Sequence, residues 1–421
     1  MRIRGFRALA ASALALAAVP AQSLTINLIN TGGAEQGTLA RQGFEAAAGY
    51  WSSVFKDDVT LNLEVGFGHL GPDILGSTGS NQTSVYVEDL YGALGADSKS
   101  AIDGRAVSNL KPLRLSSLGP VGAVDAVTSA YADPLTRSGI DTTNTILDDD
   151  GGANNTVFSA NTATLKALGF DLGSDVVDGS VTFSSDFAFD FRPINGITAN
   201  TTDFLAVAIH EIGHALGFVS GVDVYDLYGD PGSPPLGDPA FPAGYTYSDL
   251  LKSGYFGSTD LGEFALMSVL DLFRYSDAGL DWSVGTDARF SIDGGAGLFG
   301  ASGFSTGSYN GDGWQASHWQ APTVVVDGET FFSCARPKLG IMNPYICDGS
   351  NGIITGLDLA AFDAIGFDLN FEVDENYKIT TQQIGRQFNV VPEPATWGLM
   401  IVGFGFVGAA SRRRRAGYAT A

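Results

Sequence analysis

The segment LTINLIN, from Leu24 to Asn30, alternates apolar and polar residues with the two-residue period of a strand that buries one face. In GTLARQGFEAAAGYWSSVF the apolar residues shift to helical spacing, and DDVTLNLEVGFG returns to strand character. Strand, helix, strand predicts a right-handed crossover unit and a sheet backed by helices. DGSVTFSSDFAFDF, over 178–191, alternates strongly and predicts a further strand at an edge of that sheet. NTTDFLAVAIHEIGHALGF then predicts a helix, with capping chemistry in Thr201, Thr202 and Asp203 and a stop at Gly217 or Gly221. From Gly221 to about Ser317 the chain becomes rich in Gly, Pro and Asp, with a helix predicted in GEFALMSVLDLFRYS. GWQASHWQ follows, then a predicted hairpin in PTVVVDGETFFS, the segment KLGIMNPYI, and a helical pattern in ITGLDLAAFDAIGFDL. Beyond Asn370 the sequence reads as a linker. The fold class expected from these elements is α+β, a twisted mixed sheet packed on helices.

The two ends carry signals of a different kind. MRIRGFRALAASALALAAVPAQS has an arginine-bearing start, an Ala/Leu run and small residues before Ala21, the pattern of a secretory signal peptide. Near the other end, Pro392, Glu393 and Pro394 lead into an apolar stretch from about Trp397 to Ala410 and then four arginines, Arg412 to Arg415. This tail resembles the PEP-CTERM sorting signal of Gram-negative bacteria. The resemblance implies transient inner-membrane association, processing by an exosortase-type enzyme and delivery to the cell surface or extracellular matrix. A plain C-terminal anchor is the alternative, although the span is short for one.

Composition changes the picture in two respects. Forty-six acidic against 23 basic side chains give a formal charge of −23, which argues against a nucleic-acid partner, since phosphate is repelled over most of such a surface. The surplus of aspartate can also serve Ca²⁺, a hard cation that takes oxygen ligands, although no stretch fits the EF-hand spacing. Cys334 and Cys347 are the only cysteines. In an oxidising compartment they are expected to pair, closing a loop of ~14 residues worth roughly 3 kcal/mol. With no cysteine upstream of the helix that follows Asn200, none can cap a metal there in a latent precursor.

The chemistry lies in AVAIHEIGHALGFVSG, 206–221. Four residues turn a helix by about 400°, so His210 and His214 share one face, the geometry for two imidazoles on one Zn²⁺. Glu211 stands beside the first, placed to act on water without ligating. Two protein ligands do not complete a catalytic zinc site; three plus an open position do. Ser220, three residues after Gly217, has a hydroxyl that ligates zinc poorly. The third ligand is therefore sought downstream, among Asp223, Asp226, Glu263 and His318, with His318 favoured because imidazole suits zinc. His69, in GFGHLGP, reads as a loop residue.

HExxHxxG, a long insertion, His-Trp, and then a methionine in GIMNP resemble the leishmanolysin-like branch of the metzincins, from about 184 to 369. The resemblance implies a metzincin-like zincin in which His318 completes the site after an inserted segment and Met342 forms the Met-turn. Tyr345 then becomes a candidate for oxyanion or substrate contact. The cysteine-rich framework of leishmanolysin is missing, so a distant bacterial relative is implied. The corresponding organisation is a signal peptide at 1–21, an N-terminal subdomain at 22–220, the insertion at 221–317, and a C-terminal subdomain at 318–370. A linker at 371–390 and the sorting tail at 391–421 complete it. The expected function is an exported zinc-dependent endopeptidase. Water activated by zinc and Glu211 attacks the carbonyl of a protein or peptide substrate, held by strand addition to the 178–191 edge. The alternatives are a zinc hydrolase of a non-peptide amide and a non-catalytic surface or matrix protein.

Overall fold

The computed structural model describes residues 24–388, except 73, 237–240, 242–243, 298–301 and 327–328. The signal segment and the sorting tail thus lie outside the described residues. Within them the chain is α+β, and no helix is long and apolar enough to cross a membrane.

Strand β1 (Thr25–Gly32), helix α1 (Leu39–Val54) and strand β2 (Thr60–Gly68) form the expected crossover, with β1 and β2 parallel. Thr38 starts α1 by accepting the Arg41 amide hydrogen on its hydroxyl. β2 is an interior strand whose Leu61, Leu63 and Val65 are fully buried. The sheet order is β1, β2, the strand Gly179–Ser184, and then β3 (Gly76–Ser80), which runs antiparallel and ends the sheet. The 178–191 segment is therefore corrected in place. Its first half is an interior strand parallel to β2, and the edge is β3, a Gly/Ser/Thr stretch with no hydrophobic alternation to announce it.

The helix Phe204–Leu216 lies behind this sheet with all 13 residues buried. A helix buried all round has no solvent face, which explains its apolar content apart from the two histidines and Glu211. Asp203 caps its start by accepting the Ala206 amide hydrogen at 3.2 Å. Gly217 ends it at φ 135°, where a Cβ would stand 2.2 Å from Thr164 Oγ1. The last carbonyls, orphaned at any helix end, accept from the Asn161 amide, the Ser80 hydroxyl and the Thr164 hydroxyl. Trp51 of α1 donates its indole N–H to the Ile209 carbonyl at 3.2 Å, fixing the spacing of the two helices. A cluster of Phe44, Phe67, Phe183 and Phe204 fills the space between helices and sheet.

Two further expectations change. GEFALMSVLDLFRYS is not one helix but two short 3₁₀ turns, Leu261–Glu263 and Val269–Phe273, followed by the strand Arg274–Ser276. Asp260 and Ser268 cap these turns separately, so local capping divides a run whose apolar spacing suits a helix. The linker at 371–390 is partly folded. Lys378–Thr380 pairs with Ile353–Thr355, and the helix Thr381–Gln387 buries Ile384 against the main core.

The 221–317 segment shares that core too: Met267, Trp282 and Phe290 join the cluster that contains Ile209 and Ile212. Its backbone docks on an earlier part of the chain, with Trp282 N–H donating to the Val127 carbonyl at 2.7 Å and Ser159 N–H to the Met267 carbonyl at 2.8 Å. The hairpin (Thr323–Val326 with Glu329–Phe332), the helix Gly356–Ala364 and the Cys334–Cys347 disulfide are all present as expected.

Candidate metal centre

His210 and His214 project from one face of the buried helix, and His318 meets them from a loop 104 residues beyond His214. The three Nε2 atoms form a triangle with sides of 3.1, 3.2 and 3.3 Å. Zinc held tetrahedrally by imidazole nitrogens at ~2.0–2.1 Å sets them ~3.3–3.4 Å apart, so the triangle is the size that the ion requires. Each ring is also fixed from behind. The Nδ1 atoms face the carbonyl oxygens of Ile341 at 2.8 Å, Phe218 at 2.6 Å and Gln315 at 3.3 Å. A carbonyl can only accept, so Nδ1 carries the hydrogen and the Nε2 lone pairs converge. Burial pushes His210 down to about 3 and His214 down to about 4, and pushes His318 well below its ordinary value; the neighbouring imidazoles add to the shift of His210 and His318. Three neutral rings with lone pairs aimed at one point fit a divalent cation and little else. Among the described residues this is the one group of three or more His, Cys, Asp or Glu side chains whose ligand atoms all lie within 4.8 Å of one another.

Glu211 is buried beside the triangle, and burial pushes its carboxyl up to about 7 against the opposing pull of the Thr78 hydroxyl. Thr78, on the edge strand β3, lies 2.7 Å from Glu211 Oε2 and 2.9 Å from the Glu211 carbonyl oxygen. The neighbouring Gly76 permits the approach, since a Cβ there would stand 2.7 Å from Glu211 Oε1. Sequence reasoning misses Thr78, because the GSTGS stretch carries no pattern of its own.

The loop bearing His318 is held by residues weighed for other roles. Asp223 is not at the histidine triangle: its carboxylate accepts the Ala316 amide hydrogen at 2.6 Å, and the Ser317 amide and hydroxyl also bond to it. Asp226 accepts backbone hydrogens from Tyr309 and Asn310, and Glu263 is exposed. Ser220 donates its hydroxyl to Asp271 at 2.6 Å. Arg274, fully buried, donates to the carbonyls of Ala316 and Ser305 from below the same loop.

Met342 is fully buried under the histidine helix, where a Cβ on Gly213 would stand 2.6 Å from its sulfur. Its carbonyl accepts the Trp319 amide hydrogen at 2.9 Å, joining the methionine turn to the residue after His318. Asp358 organises this junction. Its carboxylate accepts from the amides of Ile341 and Met342 and from the Trp319 indole at 2.8 Å. The T-x-x-D pattern of Thr355 and Asp358 announces a helix start but not this second task. Tyr345 packs its ring on Trp314 and Phe332. His69 is exposed and pairs with Asp186 at 2.5 Å.

Comparison with known families adds one finding at the far end of the chain: residues 390–415 match the PEP-CTERM protein-sorting motif. The motif marks an exported bacterial protein whose tail is recognised and processed by an exosortase-type enzyme. No curated protein and no solved structure matches the chain.

Proposed function

We propose that this exported protein is a zinc endopeptidase of the metzincin type, distantly akin to leishmanolysin. The observation that carries the reading is the triangle of Nε2 atoms, each ring tied back through Nδ1 to a backbone carbonyl. When bound there, zinc supplies Lewis acidity that polarises a carbonyl and acidifies water toward a pKa of ~7. His210, His214 and His318 would hold it. Glu211 takes a proton from the attacking water and returns it to the leaving amine. Thr78 holds Oε2 and so orients the carboxylate. Met342 supports the floor of the site, with the residue type and place of a Met-turn.

A peptide is favoured over a small amide by β3. A strand that ends its sheet beside the general base can take an extended chain by strand addition, which places successive carbonyls along the cleft.

The test combines zinc content with casein cleavage for wild type, Glu211→Ala and His318→Ala. One zinc per chain with cleavage lost in Glu211→Ala, and both metal and cleavage diminished in His318→Ala, is the expected result. Full zinc occupancy in His318→Ala, or undiminished cleavage in Glu211→Ala, would overturn the reading.

A further inference from the structure

A second constellation of oxygens lies away from the histidines, where the loop 148–155 meets the turn 260–262. Arg137 clamps its outer side, donating from Nε to Asp260 Oδ2 at 2.7 Å and from Nη2 to Asp150 Oδ2 at 2.5 Å. The other oxygen of each carboxylate accepts a backbone hydrogen from the glycine two residues on, Asp150 Oδ1 from Gly152 at 2.7 Å and Asp260 Oδ1 from Gly262 at 2.8 Å, and keeps a second lone pair. A Cβ on Gly152 would stand 2.9 Å from Asp150 Oδ1, 3.1 Å from the Gly262 carbonyl oxygen and 3.5 Å from Asn154 Oδ1. A Cβ on Gly262 would stand 3.1 Å from Asp260 Oδ1 and 3.6 Å from the same Asn154 oxygen. Four oxygens therefore lie about two neighbouring glycines, with Arg137 Nη2 on the outer side, 3.7 Å from the Gly262 Cβ position.

Asn154 is the informative member. It is fully buried, and its amide Nδ2 donates to Asp148 Oδ2 at 2.6 Å and lies 3.3 Å from the Tyr225 hydroxyl. Those contacts fix which way the amide points and leave Oδ1, aimed toward these glycines, with no hydrogen-bond partner. A buried acceptor without a donor is destabilising, and a bound cation removes that cost. Charge agrees, since the carboxylates of Asp148, Asp150 and Asp260 face one guanidinium, a surplus of two negative charges.

We propose that Asp150, Asn154, Asp260 and the Gly262 carbonyl, with water completing the shell, bind one Ca²⁺. All-oxygen donors of mixed carboxylate, amide and carbonyl type suit calcium, and an exported protein meets it at concentrations that fill sites with Kd of ~10⁻⁴–10⁻³ M. The ion staples the 148–155 loop to the long segment that separates His214 from His318. The site shares no residue with the histidine triangle, so its test reads the same whether or not the chain hydrolyses peptides.

Full-length mature, zinc-loaded protein in calcium-free buffer is titrated with CaCl₂ by calorimetry and by thermal unfolding, with zinc content followed throughout. One Ca²⁺ per chain and a rise in Tm of about 2–4 °C at saturation are expected. Asp150→Asn should weaken binding at least tenfold with zinc content unchanged, while Asp149→Asn, at an exposed neighbour, should bind within twofold of wild type. Terbium luminescence excited through the nearby Tyr225 should follow the same order. Absence of any heat or Tm shift up to about 10 mM CaCl₂ would overturn the proposal. So would unweakened binding in Asp150→Asn, and an equal response to Mg²⁺ at the same concentration would overturn the assignment to calcium.

Discussion

Ser220 donates its backbone N–H to Ser317 Oγ at 2.9 Å, across 97 residues of chain. In the proposed zinc site Ser220 occupies the position where a close-spaced third ligand would stand, and Ser317 immediately precedes the proposed third ligand, His318. The segment after the histidine helix thus docks the loop that carries His318. Asp223 supplies most of that dock by accepting from Ala316 and Ser317.

Removing the Asp223 carboxylate should therefore loosen His318 without touching the histidine helix. Asp223→Ala is expected to lower zinc affinity about 10–100-fold, the usual consequence of losing a residue that orients a ligand. Competition with a chromophoric chelator measures it. Asp223→Asn, which keeps an acceptor, should fall between the two.

Gly76 offers a test of the general base that leaves the metal alone. In Gly76→Ala the new Cβ would stand 2.7 Å from Glu211 Oε1, and the carboxylate must move. Misplacing a catalytic group by about 1 Å costs on the order of 10²-fold. We expect kcat on a fluorogenic peptide to fall at least tenfold while zinc content stays at one per chain.

Stability should fall as pH rises from about 4 to about 8. Burial, and then the nearby Asp103 carboxylate, push Asp363 up to about 8, and burial with the Asp368 charge pushes Asp57 up to about 7. Both folded values lie above the ordinary aspartate value of ~3.9, so the protonated forms favour the fold. Their contribution is complete below about pH 4 and is lost as pH rises through 7 and 8. The Tm of the zinc-loaded protein should decline from about pH 6 to about pH 8 and level off above it. Asp363→Asn, which keeps the shape and removes the titration, should flatten that decline.

The Cys334–Cys347 disulfide ties the segment after the hairpin to the segment after Met342, with a sequence separation of 13. Replacing both cysteines by serine should cost up to roughly 3 kcal/mol. A lower Tm with the zinc content retained is the expected outcome, because neither cysteine belongs to the histidine triangle or to the Asp358 junction.

The sequence by itself determined the local elements and the first half of the candidate site. Periodicity located β1, α1, β2 and the histidine helix, and a four-residue spacing placed His210 and His214 on one face with Glu211 beside them, because helix geometry is fixed by the chain itself. It determined the tail as well, since a sorting motif is read as linear sequence. It gave the wrong strand as the edge, because sheet order depends on which strands find each other, and β3 has no alternation to mark it. It read one helix where capping by Asp260 and Ser268 makes two turns, and a linker where Ile384 finds the core. Only the tertiary structure decided that His318 stands within 3.3 Å of both other imidazoles, that Asp223 positions the loop instead of ligating, and that Asn154 turns a bare oxygen toward Asp150 and Asp260. These are contacts across 93 residues or more of chain, or between neighbouring loops. No local propensity encodes them; they follow from how the 221–317 segment folds back onto the core shared with the histidine helix.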